Sequence, residues 1–321
     1  MKKPCIVLSG PTAVGKTRLS IRLAKALNGS VISADSMQVY RGMDIGSAKI
    51  RPEEMEGIPH YLIDVLEPEE EFNVVRFQQM AEAAMEEIYR AGRLPIVVGG
   101  TGFYIQALLK GVDFTETEGN SELRRRLEKL AEEKGGEYLH RLLAEKDPLS
   151  AEAIHPNNVR RVIRALEYYE ETGLPISVHN AAWRDRESAY CCAWFVLNDD
   201  RERLYGRIDR RVDEMMSQGL LEEVTKLHER GLTEEHGSMK GLGYKELLCF
   251  LKGEISLDEA VRIIKRDTRH FAKRQITWFK REKDVIWLNL PDFQYDEQAV
   301  LEYMLSRWQS KLGEEEKKDE Q

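Results

Sequence analysis

Apolar residues recur along the chain with two periods. Cys5-Ile6-Val7-Leu8 is an unbroken apolar run ending at Ser9-Gly10, the pattern of a short strand buried on both faces. Leu19, Leu23, Ala26 and Leu27 then recur at helical spacing, and Val31-Ile32-Ser33-Ala34 reads as the next strand. His60 to Leu66 is a further short extended run. Val74 to Ala91 predicts a helix with Phe77, Met80, Ala81, Ala84, Met85 and Ile88 as its apolar stripe. Pro95 to Val98 predicts another strand, and Gly102 to Leu109 the start of a helix. Strands alternating with helices predict an α/β class with a mostly parallel sheet flanked by helices. The pattern changes after the polar run Thr115–Asn120. From Ser121 to about Thr172 it is helical with few strand formers, and Ser121-x-x-Arg124 opens a charged helix. Strand character returns at Ser188–Asn198 and once more at Val285–Leu288. The expected organisation is therefore a first core part over 1–113, a helical insertion domain over 114–185, and a second core part with basic helices over 186–312. A charged, flexible tail is expected over 313–321, where five acids face Lys317 and Lys318.

Composition narrows the class. The 321 residues are 42% hydrophobic and 32% charged, with mean hydropathy −0.50, as in a soluble domain with a substantial core. No run approaches the roughly 20 apolar residues of a membrane span. Met1-Lys2-Lys3-Pro4 leads directly into the first strand and leaves no room for a secretory leader. The four cysteines (Cys5, Cys191, Cys192, Cys249) have neither zinc-site spacing nor the arrangement of a disulfide framework. A cytoplasmic protein without membrane contact or obligate protein partner is expected. The net charge of −8 argues against a uniformly basic nucleic-acid binder but allows a local basic surface.

The chemistry begins at residues 10–17. Gly10, Pro11, Thr12, Ala13, Val14, Gly15, Lys16 and Thr17 complete the pattern Gly-x-x-x-x-Gly-Lys-[Ser/Thr] between a strand and a helix. Its backbone N–H groups and helix N-terminus suit a diphosphate or longer chain, Lys16 adds a point charge, and the Thr17 hydroxyl can ligate Mg²⁺. Combined with the sheet pattern, this predicts a P-loop NTPase-like core. Most such loops hold nucleoside triphosphates, which favours a kinase. Yet Ile96-Val97-Val98 ends in Gly99-Gly100-Thr101-Gly102 without the usual magnesium-holding Asp, and only Asp64 after Tyr61-Leu62-Ile63 offers a substitute. Two readings fit Asp35, just past the second strand: a proton acceptor for a nucleophile facing the loop, or a turn residue. Arg160, Arg161 and Arg164 cluster within about a turn, and Arg207 and Arg211 stand at i, i+4. Arg262, Arg266, Arg269 and Lys273, with Arg274 beside them, make a basic face next to Phe271 and Trp278, a pattern that suits a polyanion partner.

This ordered set resembles the bacterial tRNA isopentenyltransferase (tRNA dimethylallyltransferase) family. The matching segments are Gly10–Thr17, Asp35–Tyr40, Asp44–Lys49, Pro59–Asp64, Gly99–Tyr104, His155–Asn158 with Arg160-Arg161, Gly241–Glu246 and Arg274–Trp278. The resemblance implies that the loop holds the diphosphate of dimethylallyl diphosphate, with Mg²⁺ at Thr17. It implies that the acceptor is N6 of the adenosine 3′ of a tRNA anticodon. It implies catalytic roles for Asp35, Lys16, Thr17 and Arg207, Asp35 taking the N6 proton and Arg207 binding diphosphate. The implied tRNA contacts are Asp35, Ser36, Met37, Gln38, Thr101, Arg124, Val159, Arg160, Arg161, Val162, Ile163, Arg269, Lys273 and Arg274, with the insertion gripping the anticodon stem. A small-molecule kinase using ATP is the alternative, and it leaves the basic helix without a task.

Overall fold

The computed structural model describes residues 2–111, 121–184 and 186–319. Six strands form one sheet: β1 (Lys3–Ser9), β2 (Gly29–Ser33), β3 (His60–Tyr61), β4 (Leu94–Gly99), β5 (Tyr190–Asn198) and β6 (Val285–Asn289). Their order is β3-β2-β4-β1-β5-β6, and every pairing is parallel. Parallel neighbours require crossovers, supplied first by α1 (Lys16–Leu27), α2 (Val74–Arg90) and α3 (Gly102–Lys110). The extended run expected from His60 to Leu66 contracts to the two residues of β3, because Leu62 and Asp64 take left-handed φ angles that end the strand.

The period of two in the strands divides the core. Ile6, Leu8, Val31, Ile96, Phe195 and Leu197 point to one face and pack with Leu19 and Leu23 of α1. Cys5, Val7, Ile32, Val97 and Val196 point to the other and pack with Phe77, Ala81, Met85 and Ile88 of α2. Strands covered on both faces need continuous apolar runs, which is why Cys5–Leu8 shows no polar alternation.

The chain divides into two compact units, Met1–Leu109 with Ala189–Gln321, and Lys110–Ser188. The second unit holds α4 (Ser121–Lys134), α5 (Gly136–Lys146), α6 (Pro148–Ala153), α7 (Val159–Thr172) and α8 (Ile176–Arg184). Its core is Leu127, Leu139, Leu143, Val162, Ile163 and Leu166. The boundary expected at 114 lies in the stretch 112–120, and that at 185 on a single residue; both are outside the described residues.

The remaining helices of the first unit are α9 (Arg201–Ser217), α10 (Leu220–Glu229), α11 (Tyr244–Leu251), α12 (Leu257–Phe279) and α13 (Glu297–Asp319). α13 continues to Asp319 through most of the stretch expected as a flexible tail from residue 313, and residues 320 and 321 lie outside the described residues. Glu and Lys, which make up residues 314–317, are good helix formers. Among the described residues no helix is long and apolar enough to cross a membrane.

Candidate active site

Strand register gathers the site. Ser9 pairs with Gly99 and Val196, and Ser33 with Val98, so the C-terminal ends of β1, β2, β4 and β5 share one edge. Ligand crevices in parallel sheets form at that edge. There residues 12–17 of the phosphate loop, Asp35 and Gln38, residues 44, 45 and 47–51, Gly99-Gly100, and Arg207, Arg210 and Arg211 of α9 line a cavity of about 740 Å³.

The phosphate loop has the backbone its motif demands. Gly10 takes φ +146°, and a Cβ there would lie 2.6 Å from the Leu197 carbonyl oxygen. Gly15 precedes α1 at φ +107°. Ala13 also sits in the left-handed region at φ 63°, local strain of the kind retained in functional loops. The N-terminus of α1 has no side-chain cap and no acid in its first turn, so its N–H groups and dipole are available to an anion. Lys16 Nζ donates to the carbonyls of Gly10 at 2.9 Å and Pro11 at 2.8 Å. Burial, then the Arg211 guanidinium, pull the Lys16 ammonium down to about 7, with Asp35 opposing. Burial also lowers Arg211, which Asp35 and Glu214 partly counter. Thr17 is exposed.

Asp35 closes a turn and also lines the cavity. One oxygen accepts the Met37 N–H at 2.8 Å, closing the turn after β2. The other has no hydrogen-bond partner among the described residues. Ser33 Oγ donates to Gln38 Oε1 at 2.8 Å, which fixes that side chain in the cavity wall.

Arg207 is oriented by a residue that the sequence reading did not single out. Asp199, directly after β5, is buried and lies 3.7 Å from Arg207 and 3.5 Å from Arg203. Its placement repeats that of Asp35, a carboxylate just beyond a strand's C-terminal end, so a signal was present. Glu223 of α10 was also missed. It accepts the consecutive N–H groups of Asp44, Ile45 and Gly46 at 2.9, 2.7 and 3.1 Å, and the Tyr244 hydroxyl at 2.7 Å. Lys49 closes the same loop from beneath, bonded to Asp44, Asp64 and the Tyr40 carbonyl. Asp64 therefore serves Lys49, and it does not line the cavity as a magnesium-holding Asp would.

Other expected site residues lie elsewhere. Gly10, Pro11, Ser36, Met37 and Thr101 belong to the gathered loops without lining the cavity. In the helical unit, Val162 and Ile163 are buried in the core, 0% and 3% exposed. Val159 is partly exposed at the start of α7, and Arg160 and Arg161 are exposed. Arg124 is clasped by buried Glu167 at 3.0 Å, and burial raises the Glu167 carboxyl against that pull. The basic face of α12 is largely neutralised: Arg262 pairs with Glu259, Lys265 with Asp213, Arg266 with Asp267 and Arg269 with Asp209. Lys273 and Arg274 are exposed and carry no ion pair among the described residues.

Comparison with known proteins agrees with this geometry. A family model described as IPP transferase matches residues 38–282, and one described as isopentenyl transferase matches residues 4–70. A protein of Lachnoclostridium phytofermentans named tRNA dimethylallyltransferase is 59% identical over 300 residues, covering 94% of this chain and 96% of that one. The crystal structure of the full-length tRNA isopentenylpyrophosphate transferase from Bacillus halodurans superposes with a TM-score of 0.74 at 42% identity, covering 98% of this chain and 100% of the other. A eukaryotic dimethylallyltransferase acting on tRNA gives a TM-score of 0.73 at 33% identity, over 89% of this chain and 74% of its own.

Proposed function

The chain belongs to the IPP transferase family, and from that premise we propose that its cavity binds dimethylallyl diphosphate and delivers the five-carbon group to N6 of the adenosine 3′ of a tRNA anticodon. The observation that carries this reading is that Lys16, which opens α1, and Asp35, just beyond β2, line one cavity. A charge-neutralising group and a proton acceptor face the same space.

Reaction breaks the bond between C1 of the allyl group and the diphosphate oxygen, and the electron pair leaves with the diphosphate. Lys16, Arg207 and the uncapped N-terminus of α1 stabilise that developing charge. The exposed Thr17 hydroxyl fits an ion that takes most of its shell from phosphate and water, as Mg²⁺ does; bound there, Mg²⁺ supplies further positive charge to the leaving group. The N6 lone pair forms the new bond to C1. N6 is a weak nucleophile because that lone pair is delocalised into the ring. Asp35, through the oxygen not spent on Met37, takes the N6 proton.

The adenine must leave its stack to reach a half-enclosed cavity, which costs least in a single-stranded loop. Ser36, Met37, Gln38 and Thr101, in loops at the same sheet edge, receive the base in this reading. Arg160 and Arg161 of the helical unit, and Lys273 and Arg274 of α12, supply cations to RNA phosphates. A tRNA substrate is in keeping with the cytoplasmic setting that this reading expects.

The test is a nucleoside digest, analysed by mass spectrometry, of unmodified tRNA incubated with protein, Mg²⁺ and dimethylallyl diphosphate. A prenylated adenosine that disappears in Lys16→Ala supports the reading. No product, with ATP consumed in its place, would transfer the site to phosphoryl transfer.

A further inference from the structure

Gln275, in the last turns of α12, is 7% exposed, and both ends of its amide are committed. Its Oε1 accepts the N–H of Thr12 at 2.9 Å, and its Nε2 donates to the carbonyl of Gly100 at 3.0 Å. One backbone donor and one backbone acceptor dictate the orientation of the amide, which cannot flip without breaking both bonds. Thr12 belongs to the phosphate loop. Gly100 adjoins Thr101 in the loop after β4. α12 packs tightly on the second loop: a Cβ on Gly100 would lie 2.1 Å from Gln275 Nε2, and one on Gly102 would lie 2.2 Å from the Trp278 ring.

We propose that Gln275 is a positioning residue for prenyl transfer, a side chain that bridges the leaving-group loop and the acceptor loop and helps hold them in register. The inference rests on the proposed function, in which the first loop carries the diphosphate and the second meets the adenosine. The reacting carbon and nitrogen must approach to about 3–3.5 Å with aligned orbitals, and misplacement by about 1 Å costs on the order of 100-fold in rate. A side chain bridging the two loops acts on that approach. It leaves the groups that bind each substrate in place.

The experiment compares wild type, Gln275→Leu and Gly100→Ala. Gln275→Leu removes both hydrogen bonds at similar volume. Gly100→Ala leaves Gln275 in the chain but displaces its amide through the added Cβ. Single-turnover prenylation under saturating tRNA and dimethylallyl diphosphate is measured with the Kd of each for inorganic pyrophosphate and for tRNA, and with thermal midpoints. In both variants the single-turnover rate is expected to fall at least tenfold, with each Kd within about threefold of wild type. Rates equal to wild type, or losses of rate and both affinities in parallel, overturn the positioning role. If Gln275→Leu does not fold, Gly100→Ala decides alone. Wild-type protein that fails to prenylate tRNA would sink the proposed function; active wild type with equally active variants would sink this inference only.

Discussion

Burial and Arg211 hold Lys16 at about 7 in the free protein, so a diphosphate should bind together with a proton. At pH 8 a group with that pKa is roughly one-tenth protonated, and a bound dianion or trianion restores the ammonium form. Binding at pH 8 is then expected to take up about 0.9 proton at Lys16, falling to about 0.5 at pH 7 and about 0.1 at pH 6. The sign follows from the linkage: ligand raises this pKa, so binding is favoured at low pH and weakens as pH rises through about 7, by roughly tenfold per unit. Calorimetry with the unreactive thiolo analogue of dimethylallyl diphosphate, in HEPES and in Tris at pH 8, reads uptake from the difference in apparent enthalpy. Ionisation of the ligand itself is removed by comparison with Lys16→Arg, whose guanidinium stays charged throughout. Equal proton uptake in wild type and Lys16→Arg would refute the reasoning, and Lys16 would then be an ordinary ammonium in the free protein.

Asp35→Asn keeps an oxygen for the Met37 N–H, so the turn should survive; the prenylation rate is expected to fall about 10²–10⁴-fold with tRNA affinity unchanged, and an equal loss of both would deny the base role. Glu223→Gln places an amide among three inward N–H groups, at least one of which loses its acceptor. We expect about 1–3 kcal/mol of destabilisation in denaturant melts, with a raised KM for dimethylallyl diphosphate; an unchanged melt would show that the loop over 44–46 does not depend on this carboxylate. Lys273→Ala should lower the slope of log affinity for tRNA against log salt by about one, whereas Arg262→Ala, already paired with Glu259, should leave it nearly unchanged; equal effects would mean that the ion pairs of α12 do not decide its RNA contacts.

Much of the site was legible because its signals are local. The motif over residues 10–17 specifies its own backbone: glycines where φ is positive, a lysine one residue into the helix, and a strand before it. Asp35 could be placed at the cavity edge because parallel strands end on one side. The helical insertion was suggested by a long stretch of helical spacing with few strand formers after the polar run Thr115–Asn120. What remained hidden is pairing across the chain. Gln275 meets Thr12 from 263 positions away, Glu223 meets Ile45 from 178, and nothing near either residue announces its partner. Charge was the least readable quantity. The row of cations on α12 is a basic face in sequence, but folding sets Asp209 and Asp213 of α9 against two of them and leaves Lys273 and Arg274 uncovered. Val162 and Ile163 likewise share a segment with Arg160 and Arg161, and the rotation of α7 turns the first two into the core and the second two out. The sequence alone determined which backbones form and the chemical groups at their ends, because those depend on neighbours a few residues apart. Tertiary structure decided which charges stay free and which side chains hold the loops in register, because those depend on elements that meet only after the sheet has assembled.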